Sequence, residues 1–136
     1  MLSRLVLDTN VLVSGLCFSG PPRRLITLVL EAEVEIATSA TLRTELERVL
    51  QAKFSHMRVA IQGTLGVLDT LTVLVHPTED VAVISEDPSD NHVLACAIAA
   101  GANTIVSGDK HLLSLKTFRG IPILSPRAFL TQWHPA

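Results

Sequence analysis

The sequence predicts one α/β domain: a central, mostly parallel sheet of four or five strands flanked by helices on both faces. Three observations carry this. Short apolar runs that read as buried strands alternate with longer stretches of helical period, the pattern of strand–helix–strand units. Of the 136 residues, 48% are hydrophobic and only 18% charged, with a mean hydropathy of +0.42. That composition excludes intrinsic disorder and suits elements buried on more than one side. The length fits a single domain over residues 1–136, which can bury roughly two thirds of its unfolded surface without covalent staples.

The elements follow in order. Leu5-Val6-Leu7 reads as a buried strand ending at Asp8. Val11 to Leu16 reads as a short helix, and Ser19-Gly20-Pro21-Pro22 marks a loop. Pro22 opens a helix to about Glu33, and Val34 to Thr38 is a second strand. Ser39 is placed to cap a helix over Ala40 to Gln51, whose Leu42, Leu46, Val49 and Leu50 form one stripe. A third long helix, Met57 to Thr70, carries Val59, Ile61, Leu65, Val67 and Leu68, with Gly63 and Gly66 weakening it. Leu71 to Val75 is a third strand. Thr78 to Pro88 is an acidic loop with room for a short strand at Val81 to Ile84. Ser89 or Asp90 starts a helix to Ala100 that is apolar around its circumference and therefore buried, with Gly101 as its C-cap. Thr104 to Ser107 is a fourth strand, Pro122 to Leu124 a last one, and Arg127 to Trp133 a terminal helix.

Composition narrows function. Aromatics are 4%, with no Tyr and a single Trp133, which excludes a base-stacking platform. The net charge is −2, from 11 basic and 13 acidic residues, so nucleic acid would have to be met by local contacts. Cys17 and Cys96 lie apart in apolar context without ligand spacing and read as buried free thiols of a reducing, cytoplasmic compartment. Met1 to Leu7 lacks a signal-peptide layout, and the apolar run Val93 to Ala102 is about half a membrane span.

Two strands end in aspartate, Asp8 and Asp109. In a parallel sheet both emerge at the carboxyl edge, where sites form. Asp90 opens the buried helix that precedes the second of these strands, so it reaches the same edge. Glu45 lies about 40° from Val49 on its helix and can turn inward, whereas Glu47 points away. Taken singly, each is ordinarily a turn, cap or solvated residue. Together, four converging carboxylates repel one another unless a divalent cation compensates them. An all-oxygen donor set without Cys or His spacing selects a hard ion, Mg²⁺ or Mn²⁺, whose chemistry is phosphoryl transfer or phosphodiester hydrolysis. His92 and His111 flank the acids and read as surface residues.

At these residues the chain resembles the PIN-domain family of metal-dependent nucleases. The resemblance runs from Leu5 to about Leu124. It is carried by Leu7-Asp8-Thr9-Asn10-Val11-Leu12-Val13-Ser14, Ser39-Ala40-Thr41-Leu42-Arg43-Thr44-Glu45-Leu46, Asp87-Pro88-Ser89-Asp90-Asn91-His92-Val93-Leu94-Ala95 and Ile105-Val106-Ser107-Gly108-Asp109-Lys110-His111-Leu112-Leu113. It implies a PIN-like α/β/α fold, with Asp8, Glu45, Asp90 and Asp109 as metal-binding and catalytic acids. Asn10 would hold Asp8 or a water, and Ser107 would be the small hydroxyl before the last aspartate. The family's third acid falls at Asn91 in many members. Asp90 is the choice here, with Asn91 auxiliary and Asp87 a further carboxylate nearby.

The last motif is similar to the subfamily of toxins in toxin–antitoxin pairs, the VapC-like ribonucleases. That resemblance implies a Mg²⁺- or Mn²⁺-dependent endoribonuclease, held by a small antitoxin and homodimeric. Arg23, Arg24, Arg43, Lys53 and Lys110 are the candidate RNA contacts. Two other readings compete. One is aspartyl-phosphate chemistry with Asp8 as nucleophile, against which stands Asn10 where such phosphatases usually carry a second Asp. The other is a PIN-fold module that binds nucleic acid or protein without turnover.

Overall fold

In the computed structural model, which describes residues 2–84 and 87–135, strand β1 (Ser3–Leu7) lies inside a six-stranded sheet. It pairs in parallel with β2 (Val34–Thr38) on one side and β4 (Thr104–Val106) on the other. Beyond β2 lies β3 (Thr72–Leu74), and beyond β4 lies β6 (Ile121–Leu124), both parallel. The edge strand β5 (Thr117–Phe118) runs antiparallel to β6. The chain therefore steps outward from β1 through β2 to β3, then returns to the far side of β1. This reversal of direction leaves a crevice at the carboxyl ends of β1 and β4.

The sheet has one strand more than the sequence predicts. The extra strand is the two-residue β5, folded back on β6 through Arg119 (φ 50°) and Gly120 (φ 82°). Two central residues with positive φ make the tight turn that matches strand twist. The strand expected at Val81 to Ile84 does not form. The part of the acidic loop at residues 85–86 lies outside the described residues.

Helices α1 (Thr9–Cys17), α2 (Pro21–Leu30), α3 (Ala40–Lys53), α4 (Arg58–Leu71) and α7 (Pro126–Gln132) pack around one core cluster. Helices α5 (Ser89–Ala100) and α6 (Lys110–Leu115) pack around the other. Strand alternation feeds both layers: Leu5, Leu7, Ile36 and Val106 enter the first, and Val6, Ala37 and Ile105 the second. In α4 Ile61, Leu65 and Leu68 are buried and Leu71 packs against the core, while Val59 and Val67 face solvent, against the sequence expectation. Helix α5 is buried around most of its circumference as expected, with only His92 and Ala99 exposed. Gly101 ends it in the left-handed conformation (φ 59°). Gly15 lets α2 approach α1 closely, since a Cβ there would stand 2.8 Å from the Pro22 carbonyl oxygen. No helix among the described residues is long and apolar enough to cross a membrane.

Candidate metal centre

Asp8 and Asp109 reach the carboxyl edge through the register of two neighbouring strands. Leu7 pairs with Val106, and the Asp8 amide continues the ladder to the Val106 carbonyl (3.1 Å). Asp8 also caps α1, its Oδ1 accepting from the Val11 amide at 2.9 Å. Its Oδ2 accepts from the hydroxyl of the fully buried Ser107. The same Ser107 oxygen accepts from the Asp109 amide at 2.9 Å. Asp109 caps α6, its Oδ1 accepting from the amides of His111 (2.8 Å) and Leu112 (3.2 Å). The turn expected at Asp109 is thus the start of a helix, too short to stand out in the sequence.

Asp90 sits in the first turn of α5 and is buried, yet does not cap it. Asp87 lies just before, its Oδ1 accepting from the Ser89 amide (3.1 Å) and the Ser89 hydroxyl (2.6 Å). Ser89, read in the sequence only as a helix start, supports Asp87 here. The signal for it was present, because an aspartate two residues before a serine ahead of a helix forms a local side-chain turn. Carboxylate oxygens of Asp87, Asp90 and Asp109 all lie within 4.8 Å of one another. Asp8, Thr9, Asn10 and Glu45 join these three acids, with Ser89 and Val93, around one cavity of about 50 Å³. The α3 helix, capped by Ser39 through the Leu42 amide (3.3 Å), brings Glu45 there.

Charge accumulates in this cavity without compensation, since no basic residue lines it among the described residues. Burial, then repulsion from Asp109 and Asp87, pushes the Asp90 carboxyl up to about 7. Burial also raises Asp8, against the opposing bonds from Ser107 and Val11, with Asp109 adding repulsion. Burial acts to raise Asp109 as well, but the Leu112 and His111 amides and a bond from Asp90 hold it below the usual carboxylate range. Of the two, Asp90 therefore holds a proton more readily than Asp109. Asp90 Oδ2 is buried with no hydrogen-bond partner among the described residues. An orphaned carboxylate oxygen among three close acids fits a divalent cation, and an all-oxygen donor set fits a hard one.

The other candidates are placed differently. The side chain of Asn91 turns from the acids to the preceding loop. Its Oδ1 accepts from the amides of Val83 (3.0 Å) and Ile84 (2.9 Å), and its Nδ2 donates to the Ile84 carbonyl (2.7 Å). This bracket holds the Val81 to Ile84 segment in the absence of strand pairing. Arg43 is bound to both carboxylate oxygens of Asp69 (2.8 and 3.1 Å) and to Glu47 (2.8 Å). Arg23 donates to the carbonyls of Gly15 and Leu16. Lys110 is exposed in the first turn of α6, beside Asp109, and Lys53 is exposed at the end of α3. Neither His92 nor His111 lines the cavity.

A family model described as PIN domain matches residues 4–111, well over half of the chain. No curated protein matches significantly. Among solved structures, VapBC2 from Rickettsia felis, bound to a DNA fragment from their promoter, is similar at 16% identity and a TM-score of 0.61. The match covers 88% of this chain and 96% of that one. The RRP44 PIN domain of T. brucei is similar at 14% identity and a TM-score of 0.51, covering 96% of this chain and 80% of that one. At these identities the two neighbours speak to the fold, and it is the fold described above. With the model match over residues 4–111, the chain belongs to the PIN-domain family.

Proposed function

We propose that this chain, one domain over residues 1–136, is a divalent-metal-dependent endoribonuclease that hydrolyses RNA phosphodiester bonds. Family membership supports nuclease-type chemistry, and one observation carries the reading further. The buried Asp90 Oδ2, without a partner among the described residues, stands within a cluster of carboxylates whose cavity no described basic residue lines. Asp87, Asp90 and Asp109 would hold Mg²⁺ or Mn²⁺, with Asp8 and Glu45 facing them across the cavity. When bound, the cation supplies a Lewis acid that activates water and offsets charge on the attacked phosphate. Asp8 is oriented by Ser107 and Val11, so that its carboxylate keeps one position in the cavity. Asp90, whose proton affinity burial raises, would have to give up its proton to hold the cation. Asn10, exposed and lining the cavity, offers a neutral donor to substrate, and the exposed Lys110, next to Asp109 in the chain, a positive charge.

The fold likeness to a VapBC2 assembly supports a place in a toxin–antitoxin pair, with a small antitoxin as partner. That role, together with homodimerisation and a cytoplasmic setting, completes the proposal. An antitoxin segment laying an amphipathic helix in a groove and extending a basic side chain to the acids would neutralise them.

Cleavage of a labelled, structured RNA pool with Mn²⁺, Mg²⁺ or EDTA tests the reading, with Asp8→Asn run alongside. Metal-dependent cutting lost in the variant is the expected result. Equal cutting by both proteins would mean contamination or a wrong role for Asp8. Metal binding without any cutting would favour a binding module.

A further inference from the structure

Four of the eight arginines of this chain are held by partners. Arg4 pairs with Glu35, Arg43 with Asp69 and Glu47, Arg119 with Glu79, and Arg23 binds backbone carbonyls. Among the described residues Arg24, Arg48, Arg58 and Arg127 have no such partner, and of these Arg24 and Arg127 share one site. Both are exposed, neither has a carboxylate partner among the described residues, and both line one cavity of about 260 Å³ with Pro21, Leu130 and Thr131. They come from different helices, α2 and α7, whose packing brings two like charges together without an acid between them. An anion in this cavity could be met by both guanidinium groups.

The position of this cavity is set by the sheet. Arg127 lies in the first turn of α7, three residues after Leu124, where β6 ends. The Leu124 carbonyl accepts from the Ser107 amide at 2.9 Å, and Ser107 binds Asp8. Three residues of chain reach at most about 10 Å. The arginine cavity therefore opens at the same carboxyl edge as the acids, one strand over from them. Pro21 and Pro22 remove amide donors from the start of α2, so the guanidinium groups themselves must do the binding. Planar forked donors suit a phosphate.

We infer that Arg24 and Arg127 form a subsite for a backbone phosphate of single-stranded RNA, flanking the acidic crevice. The inference rests on the nuclease reading. A strand crossing this edge meets cationic donors beside the acids, and the pair fixes its register relative to the cutting site. An acidic peptide is the competing occupant, but it lacks the scissile phosphodiester that the neighbouring acidic crevice would act on.

The test is binding of a fluorescent single-stranded RNA oligonucleotide, by anisotropy across a salt series, with EDTA present to prevent cleavage. The double variant Arg24→Ala/Arg127→Ala is expected to bind about tenfold more weakly. Its slope of log affinity against log salt should fall by about 0.7, the value for one phosphate on a single strand. Arg24→Lys/Arg127→Lys should recover most of the slope but not all the affinity. A melting temperature and a Mn²⁺ titration unchanged from the unaltered protein show that fold and acidic cluster are intact. If the unaltered protein binds RNA and the double variant matches it, the subsite is overturned while the nuclease reading stands. If the double variant loses only binding of a polyglutamate peptide, the cavity belongs to a protein partner and the inference fails. If the unaltered protein binds no RNA at any salt, the subsite is overturned, and the nuclease reading is decided by the cleavage assay with Mn²⁺ or Mg²⁺.

Discussion

The Ser107 hydroxyl donates to Asp8 Oδ2 and accepts from the amide of Asp109, so one buried oxygen ties the ends of β1 and β4 together. Ser107→Ala removes the donor and leaves Asp8 Oδ2 buried without it. The substitution fits the space, so the fold should persist. Groups that orient ligands commonly alter metal affinity by 10- to 100-fold when removed. Calorimetric titration with Mn²⁺ should show affinity weakened by about tenfold. An unchanged affinity would mean Asp8 is positioned by its cap bond to Val11 alone.

Asp90 makes the stability of the metal-free protein depend on pH. Its folded value is raised from 3.8 to about 7, by burial first and then by Asp109 and Asp87. A group raised on folding favours the native state when protonated. Its contribution is full below pH 3.8 and is lost as pH rises through about 7. In EDTA, the melting temperature of Asp90→Asn relative to wild type should therefore rise between pH 5 and 7.5. Saturating Mn²⁺ should stabilise wild type over that interval, since the cation takes the proton's place. A flat difference with pH would show that Asp90 is not a strained acid.

Arg43 separates structural from substrate roles among the candidate RNA contacts. Its guanidinium joins α3 to α4 through Asp69 while pairing with Glu47 within α3. These groups are partly exposed, so solvent screening limits their worth to about 0–1 kcal/mol each. Arg43→Ala should lower the melting temperature slightly, and RNA affinity should change less than in Arg24→Ala. A larger loss of RNA affinity at Arg43 would mean the ion pairs open to admit substrate.

Asp8 and Asp109 are legible in the sequence because each follows a short apolar run, and parallel strands put both at one edge. Asp90 follows from the buried helix that opens with it. What the sequence does not show depends on contacts distant along the chain. Asn91 looks like an additional ligand until the loop at Val83 and Ile84 folds onto its amide. Helix α6 has six residues and β5 two, too few for periodicity to register. Val59 and Val67 match an apolar stripe by composition, yet packing buries Ile61, Leu65 and Leu68 instead. Arg127 is silent because its meaning comes from Arg24, 103 residues earlier, across the α2–α7 contact.

Gly15 tests how firmly the crevice depends on packing behind it. Helix α1 starts at Asp8 and passes α2 so closely that a Cβ at Gly15 would meet the Pro22 carbonyl and Ile26 Cγ1, each at 2.8 Å. Ile26 can change rotamer, but the Pro22 carbonyl is backbone at the start of a helix. Gly15→Ala gains helix propensity of up to about 1 kcal/mol and loses about 1–3 kcal/mol to overpacking. The net expectation is destabilisation, read as a lower denaturant midpoint with unchanged slope. Any shift of α1 carries its N-cap, so Mn²⁺ affinity should fall with stability. A stabilised variant would show that α1 and α2 can part without disturbing Asp8.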